Sequence, residues 1–286
     1  MTGSAKGTVL VIGASGTTGG RLARRLGDAG VPVRKAGRSA AADLRFDWAD
    51  PATFEPAVRG VRAVYLVAPI GVAEPVPVVE PFLAAARRAG VERVALLGSS
   101  AVPMSDPGSG PGADGPGALG GLLERYVPEW TALRPSWFAS NFTGAHPHAE
   151  SIRRYGEIVS ATDDGRVPFI DPDDIASVAY QVLTAPHAPA RDLVLTGPQP
   201  LTFDEVAVAL TESTGRTVRH RRVSAAELSA FLQRDGMPAA FADLLAGLDT
   251  AIAGGAEDRT TTRVEEITGT TPRSFRDFLA AQPARP

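Results

Sequence analysis

Short apolar strands alternate with amphipathic helices in the first third of the sequence, which predicts an α/β chain. Its core is a doubly wound parallel sheet, followed by a smaller, mostly helical C-terminal part. Three observations carry this expectation. Apolar runs such as Thr8–Ile12 are continuous, as central parallel strands covered on both faces must be. Gly30-Val31, Gly60-Val61 and Gly90-Val91 repeat one junction at the length of one βα unit, and each marks a helix stop followed by a strand start. A Gly-x-x-Gly-x-x-Gly run, Gly13 to Gly19, follows the first strand directly.

In order, Thr8–Ile12 is a predicted strand and Gly20–Ala29 a predicted helix with Leu22, Ala23 and Leu26 on one face. Val31–Ala36 is a second strand, and Asp50-Pro51 is an N-cap followed by proline at the first helical position. Val61–Ala68 is a strand, Pro75–Ala89 a helix and Val91–Leu97 a strand. The stretch Ala101–Gly121 is too rich in Gly and Pro for regular helix and is expected to be a mobile loop. It is either a surface connection or a lid. Thr131–Arg134 and Asp192–Thr196 are further strands, and Asp171–Leu183 is a helix. Thr202-x-x-Glu205 and Ser224-x-x-Glu227 are capping boxes opening two amphipathic helices, with Val218–Val223 between them. Domain 1–140, completed by about 167–200, is expected to hold a nucleotide; 141–166 and 201–286 form the smaller, substrate-binding part.

Composition narrows the function. The 286 residues are 44% hydrophobic and 21% charged, enough for a sizeable core. The chain has no cysteine, which excludes disulfides, thiolate catalysis and cysteine metal sites and fits a cytoplasmic protein. A net charge of −3 without long blocks of one sign gives no sign of a nucleic-acid partner, and the short N-terminal apolar run is a buried strand rather than a membrane segment. The oligomeric state is not legible.

The glycine run has the position and flanks of a Rossmann dinucleotide loop. Gly13 permits the tight turn, Gly16 the approach of a pyrophosphate and Gly19 close helix–strand packing. Amides at the helix N-terminus and the hydroxyls of Ser15, Thr17 and Thr18 are expected to bind the phosphates. The second strand ends Arg34-Lys35-Ala36-Gly37-Arg38-Ser39, without the acid that holds a ribose 2′-hydroxyl in NAD enzymes. Arg38 and Ser39 stand where a 2′-phosphate would lie, with Arg34 or Lys35 to assist, so the expected cofactor is NADP(H). Asp47 is placed to accept from the adenine amino group beside Trp48, and Ala68-Pro69-Ile70 to border the nicotinamide ribose.

The chain resembles the NmrA-like atypical short-chain dehydrogenase/reductases, particularly the actinobacterial branch near quinone reductases and festuclavine-dehydrogenase-like proteins. The likeness lies in Gly13–Gly19, Asp47 to Pro51, Leu133–Phe138 with Asn141-Phe142, Gly165 to Asp171 with Asp174-Ile175-Ala176, and Leu195 to Pro198. It implies that the segment from Arg134 and Pro135 to Phe138 borders the nicotinamide pocket. Phe138 and Phe142 then form an apolar wall, or else Trp137 and Phe138 are core aromatics.

Most enzymes of this type use a Tyr-x-x-x-Lys pair with a serine. Tyr65, Tyr126, Tyr155 and Tyr180 are followed four residues later by Pro69, Trp130, Val159 and Thr184, so no tyrosine has its lysine. Ser99 and Ser100, after the fifth strand, either donate to a substrate carbonyl or only satisfy a turn. His146 and His148 either reach the pocket as proton relays or sit on an exposed loop, and they make a poor metal site. Arg219–Arg222 is read as a solvated strand edge rather than an anion site. The expected function is NADPH-dependent hydride transfer to a small aromatic ketone, quinone or imine, as in secondary metabolism or antibiotic biosynthesis. The substrate then supplies its own activation. The alternative is a redox-sensing regulator that binds NADP(H) without turnover.

Overall fold

The structure is a computed structural model that describes residues 7–69, 71–72, 74–102, 116–188 and 192–282. The chain divides into two compact units. The first runs to Pro135 and adds Pro172–Val194 and Glu266–Gly269; the second takes Ser136–Asp171, Leu195–Glu265 and the chain from Thr270 onward.

The first unit opens with β1 (Thr8–Ile12), α1 (Gly19–Asp28), β2 (Val33–Gly37), β3 (Leu44–Arg45) and α2 (Phe54–Val58). It continues with β4 (Val61–Val67), α3 (Val76–Arg88), β5 (Arg93–Leu97), α4 (Leu119–Tyr126) and β6 (Glu129–Pro135). In the second unit follow α5 (Pro147–Tyr155), β7 (Glu157–Ser160) and β8 (Arg166–Val167). The chain re-enters the first unit for α6 (Pro172–Thr184) and β9 (Asp192–Leu195). It ends with β10 (Leu201–Thr202), α7 (Phe203–Thr214), β11 (Arg219–Arg222), α8 (Ala225–Arg234), α9 (Ala239–Ala253), α10 (Arg263–Thr268) and α11 (Phe275–Ala280).

The main sheet has the order β3-β2-β1-β4-β5-β6-β9, and the pairings from β3 through to β6 are parallel. The expected doubly wound sheet is therefore present. The order reverses between β1 and β4, and that reversal is where such sheets bind ligands. The repeated junction glycines Gly30, Gly60 and Gly90 have φ of 64°, 69° and 77°, the left-handed conformation the sequence pattern required. The second strand starts at Val33, two residues later than expected, because Pro32 has no amide to give; its carbonyl instead accepts from Val9 at 2.9 Å. Residues 103–115 of the Gly/Pro-rich stretch lie outside the described residues. The end of that stretch is not loop, since α4 begins at Leu119 and buries Leu119, Leu122 and Leu123. Apolar burial outweighs the two glycines in its first turn.

Unit one packs an aromatic cluster beside the first βα elements. Phe46, Phe54 and Phe82 are buried, and Trp48 meets Phe46 edge-on with centroids 4.9 Å apart. Unit two is built around a separate core. There β7 pairs with β11 in parallel, β8 pairs with β10 antiparallel, and Phe142, Phe169, Phe203, Phe275 and Phe278 are buried together. Both expected capping boxes form. Thr202 and Ser224 accept from the amides of Glu205 and Glu227 at 3.1 and 3.3 Å, and both glutamates reach back to the cap amides at 2.8 Å. No described helix is long and apolar enough to cross a membrane.

Phe82 is fully buried, with three aromatic neighbours around its ring. Phe82→Ala is expected to lower stability by about 3–5 kcal/mol. Urea unfolding followed by tryptophan fluorescence checks this, since Trp48 lies 5.5 Å from that ring. A change within about 1 kcal/mol would show that the cluster can collapse around the cavity.

Candidate functional site

At the sheet's reversal point the chain leaves β1 and turns at Gly13, whose φ is 73° and whose amide donates to Ala36 at 3.0 Å. The Gly16 amide donates back to the Gly13 carbonyl at 2.9 Å, closing the turn. Gly19 then packs so tightly that a Cβ there would lie 2.4 Å from the Gly13 oxygen. That cradle can hold only glycine. Ser15, Gly16 and Thr17 are exposed, and among the described residues the amides of Ser15 and Thr17 have no backbone partner. The first turn of α1 has no acidic residue and no side-chain cap, so its positive end stays open to an anion.

The hydroxyl of Thr18 is not part of that opening. Thr18 is 4% exposed, and its Oγ1 accepts from the Tyr65 hydroxyl at 2.9 Å. A buried oxygen facing the sheet cannot also face a phosphate on the surface, so Thr18 supplies backbone alone.

Around the end of β2 the basic residues separate into two kinds. Arg34 donates to the carbonyls of Ala57 and Arg59, both at 2.8 Å, and the Lys35 ammonium lies 3.4 Å from Asp43. Both are committed to the fold and do not assist at a phosphate. Arg38 and Ser39 are exposed, and Arg38 has no ion-pair partner among the described residues. Asp47 is half-buried; its Oδ1 accepts from the Ala49 amide at 3.1 Å and its Oδ2 lies 3.9 Å from Arg45. Trp48 turns inward, donating to the Val67 carbonyl at 3.2 Å and packing on the aromatic cluster. It fixes the end of β4 rather than offering a free ring. Ala68 and Pro69 are half-buried just beyond that strand, and Ile70 lies outside the described residues.

Ser99 and Ser100 form a turn after β5. The Ser99 hydroxyl accepts from the Ala101 amide at 3.2 Å, and the Ser100 amide donates to the buried Pro135 carbonyl at 3.0 Å. Arg134 clamps the turn from below. Its guanidinium donates to the carbonyls of Ser99 and Ser100, each at 3.2 Å, and to Asp192 at 2.8 Å. The sequence resemblance places Arg134 at the border of the nicotinamide pocket; its role as a clamp is not legible there, because its carboxylate partner is 58 residues away.

In the second unit, Phe142 is 3% exposed and lies among Phe169, Phe203 and Phe275. It is a core residue and offers no open wall. Trp137 and Phe138 are half-buried beside it in sequence. His146 and His148 are not on an exposed loop. His146 caps α5, accepting from the His148 amide at 3.2 Å, and His148 stacks on Phe142 at 5.4 Å. Burial pushes the His146 imidazole down to about 4 and His148 well below its ordinary value. Both are neutral at pH 7 and do not serve as near-neutral proton relays.

Three residues absent from the sequence-based site have the arrangement of a hydrolytic triad. The Ser160 Oγ and His220 Nε2 are 2.7 Å apart, and His220 Nδ1 lies 3.3 Å from Asp204. Ser160 and the His220 side chain are both 0% exposed, so no substrate reaches that oxygen. The group ties β7 and β11 to the start of α7. Arg222 answers Asp163, Asp164 and Asp204, each at 2.6 Å, and Arg221 lies 2.9 Å from Glu157, on a strand edge that stays exposed as the sequence suggested.

A strand, a glycine cradle and an open helix N-terminus at a reversal point define a dinucleotide-binding protein of the Rossmann class. No family model matches the sequence. Full-length relatives do. The chain is 40% identical to the uncharacterized oxidoreductase YesF of Bacillus subtilis (strain 168), over 96% of this chain and 95% of that one. It is 38% identical to the agroclavine dehydrogenase of Claviceps fusiformis, over 96% of each. Among solved structures, the NADPH-dependent quinone oxidoreductase QOR2 of Escherichia coli in complex with NADPH superposes with a TM-score of 0.78. That match has 22% identity and covers 95% of this chain and 98% of that one. The chain belongs to the NmrA-like, atypical short-chain dehydrogenase/reductase family and is an oxidoreductase.

The buried histidines make the chain acid-sensitive. The folded-state pKa values of His146, His148 and His220 are all lowered, chiefly by burial. The unfolded chain therefore takes up protons first, and stability present above pH 6.5 drains away as pH falls toward about 4. Asp249, raised by burial to about 6, works in the opposite direction over the same interval. Three groups against one predict a lower urea midpoint at pH 5 than at pH 7.5, with His146→Gln reducing the difference. A midpoint that rises on acidification would show Asp249 dominant.

Proposed function

We propose that the chain is an NADPH-dependent reductase that passes a hydride to a planar aromatic ketone, quinone or imine without a tyrosine–lysine pair. The observation that carries this is the cradle itself. An open α1 N-terminus and an unpaired Arg38 stand at one sheet edge, and no acid occupies the end of β2. Relatives named as oxidoreductase and agroclavine dehydrogenase support the class. The amides of Ser15 and Thr17 would hold the diphosphate, and Arg38 with Ser39 the 2′-phosphate. Asp47 and the Ala68-Pro69 turn would flank adenine and nicotinamide ribose respectively. When bound, NADPH supplies the hydride.

The protein's own chemistry is restrained. Tyr65 is buried and its phenol raised by desolvation; the Tyr126 phenol donates to Glu80 at 2.9 Å and is raised by that bond. Neither is a poised acid. The half-buried Ser99 offers a hydroxyl for orientation, whereas Ser100 is only 4% exposed. Orientation and exclusion of water then carry the rate, and the electrophile must be reactive already. A quinone or an iminium is.

Arg38→Ala should weaken NADPH binding by about ten- to a hundredfold, the scale of a charge-assisted hydrogen bond, and leave NADH binding unchanged. Parallel titrations with both cofactors measure this; equal affinity of the unaltered enzyme for the two would remove the NADPH preference. Replacing Ser99 and Ser100 together by Ala should lower quinone-dependent NADPH oxidation by less than about tenfold. A loss of about a thousandfold, the scale of a removed transition-state donor, would make one of them essential.

A further inference from the structure

Tyr65 occupies the middle of β4 with no exposed surface. It is paired in register with Val11 of β1, the strand that feeds the glycine turn. Its hydroxyl donates to Thr18 Oγ1 at 2.9 Å, and burial keeps that phenol protonated. Thr18 immediately precedes the first residue of α1, and its carbonyl takes the Leu22 amide at 2.9 Å. A threonine at this place usually turns its hydroxyl onto an amide of the first turn. Here φ is −93° and ψ −42°, and no such bond forms. The hydroxyl faces the sheet.

The exposed loop between Gly13 and Thr18 is otherwise held at Gly16, which donates to Gly13 and accepts from the Gly20 amide at 3.0 Å, and by Arg21, which reaches the Thr17 carbonyl at 2.7 Å. The amides of Ser15 and Thr17 have no backbone bond of their own among the described residues. We propose that Tyr65, acting through Thr18, is a positioning residue that fixes the loop-to-helix junction and thereby sets the affinity of the Ser15–Thr17 amides for a dinucleotide diphosphate. This rests on the assignment of that loop to NADPH. With the tether in place the amides are arranged before the ligand arrives; without it, binding must order them.

The test compares the full-length enzyme with Tyr65→Phe, Thr18→Val, the double variant and Thr18→Ser. NADPH binding is read by fluorescence titration, kcat at saturating NADPH by quinone reduction, and Tm in parallel. Both single variants should bind NADPH about tenfold more weakly with kcat within about twofold of the parent. The double variant should bind no more weakly than either single, because one bond is removed twice. It should also regain thermal stability over Thr18→Val, since neither polar partner is then left alone. Thr18→Ser keeps the oxygen and should bind like the parent. Thr18→Val reads the same bond from the other end should Tyr65→Phe fold poorly. A lowered Tm with parental NADPH affinity would overturn the proposal and leave the bond a structural one. An unaltered enzyme that binds no NADPH would overturn the loop assignment instead, a result distinguishable from the first.

Discussion

Gly19 and the Gly13 carbonyl approach so closely that a single methyl group would not fit between them. That contact fixes the distance and direction of α1 relative to β1. With the helix set there, its N-terminus points past the sheet edge, and the exposed amides between Ser15 and Thr17 face outward. The same contact brings Thr18 down onto β4, within reach of Tyr65. It also leaves the end of β2 level with the turn, through the bond from Gly13 to Ala36. The electrostatics of the cofactor edge follow from one steric fact.

The two units spend their polar residues differently. In the first, Arg34, Lys35 and Arg134 are committed to carbonyls and carboxylates, whereas Arg38 has no ion-pair partner among the described residues. An exposed charge without a partner costs little in solvent, and under the proposed function it would meet a phosphate. In the second unit, Ser160, Thr162 and His220 are drawn inside and satisfied by one another. Buried polar groups of this kind specify packing and stay neutral. They resemble catalytic machinery in composition and not in access.

What the sequence revealed depended on how local the cause was. Glycine junctions, capping boxes and the glycine triplet each act within a few residues, and each is where the pattern placed it. The roles that shifted depend on partners far along the chain. Thr18 is claimed by Tyr65, 47 residues away, and Trp48 by Val67, 19 away. His146 and His148 read as loop residues because His-Pro-His carries no sign of Phe142 and Phe203 packing over them. Arg134 and Asp192 sit on separate strands, and no spacing rule joins them. Side chains that serve a site through distant partners are visible only once the topology is known.

The chemistry left to such a protein is narrow. Asp249 is raised by burial to about 6, but it is buried on α9 and its carboxylate accepts from the Ala161 amide at 2.9 Å. Tyr65 and Tyr126 are driven upward and His146, His148 and His220 downward, away from the pH at which a general acid works best. Under the proposed function, an enzyme so equipped would gain little from reducing an ordinary ketone, whose oxygen needs a proton as the hydride arrives. It would gain more from an acceptor whose positive or conjugated carbon already draws the hydride, where holding two planes face to face is most of the task. On that reading, the missing tyrosine–lysine pair would select the electrophile rather than disable the enzyme.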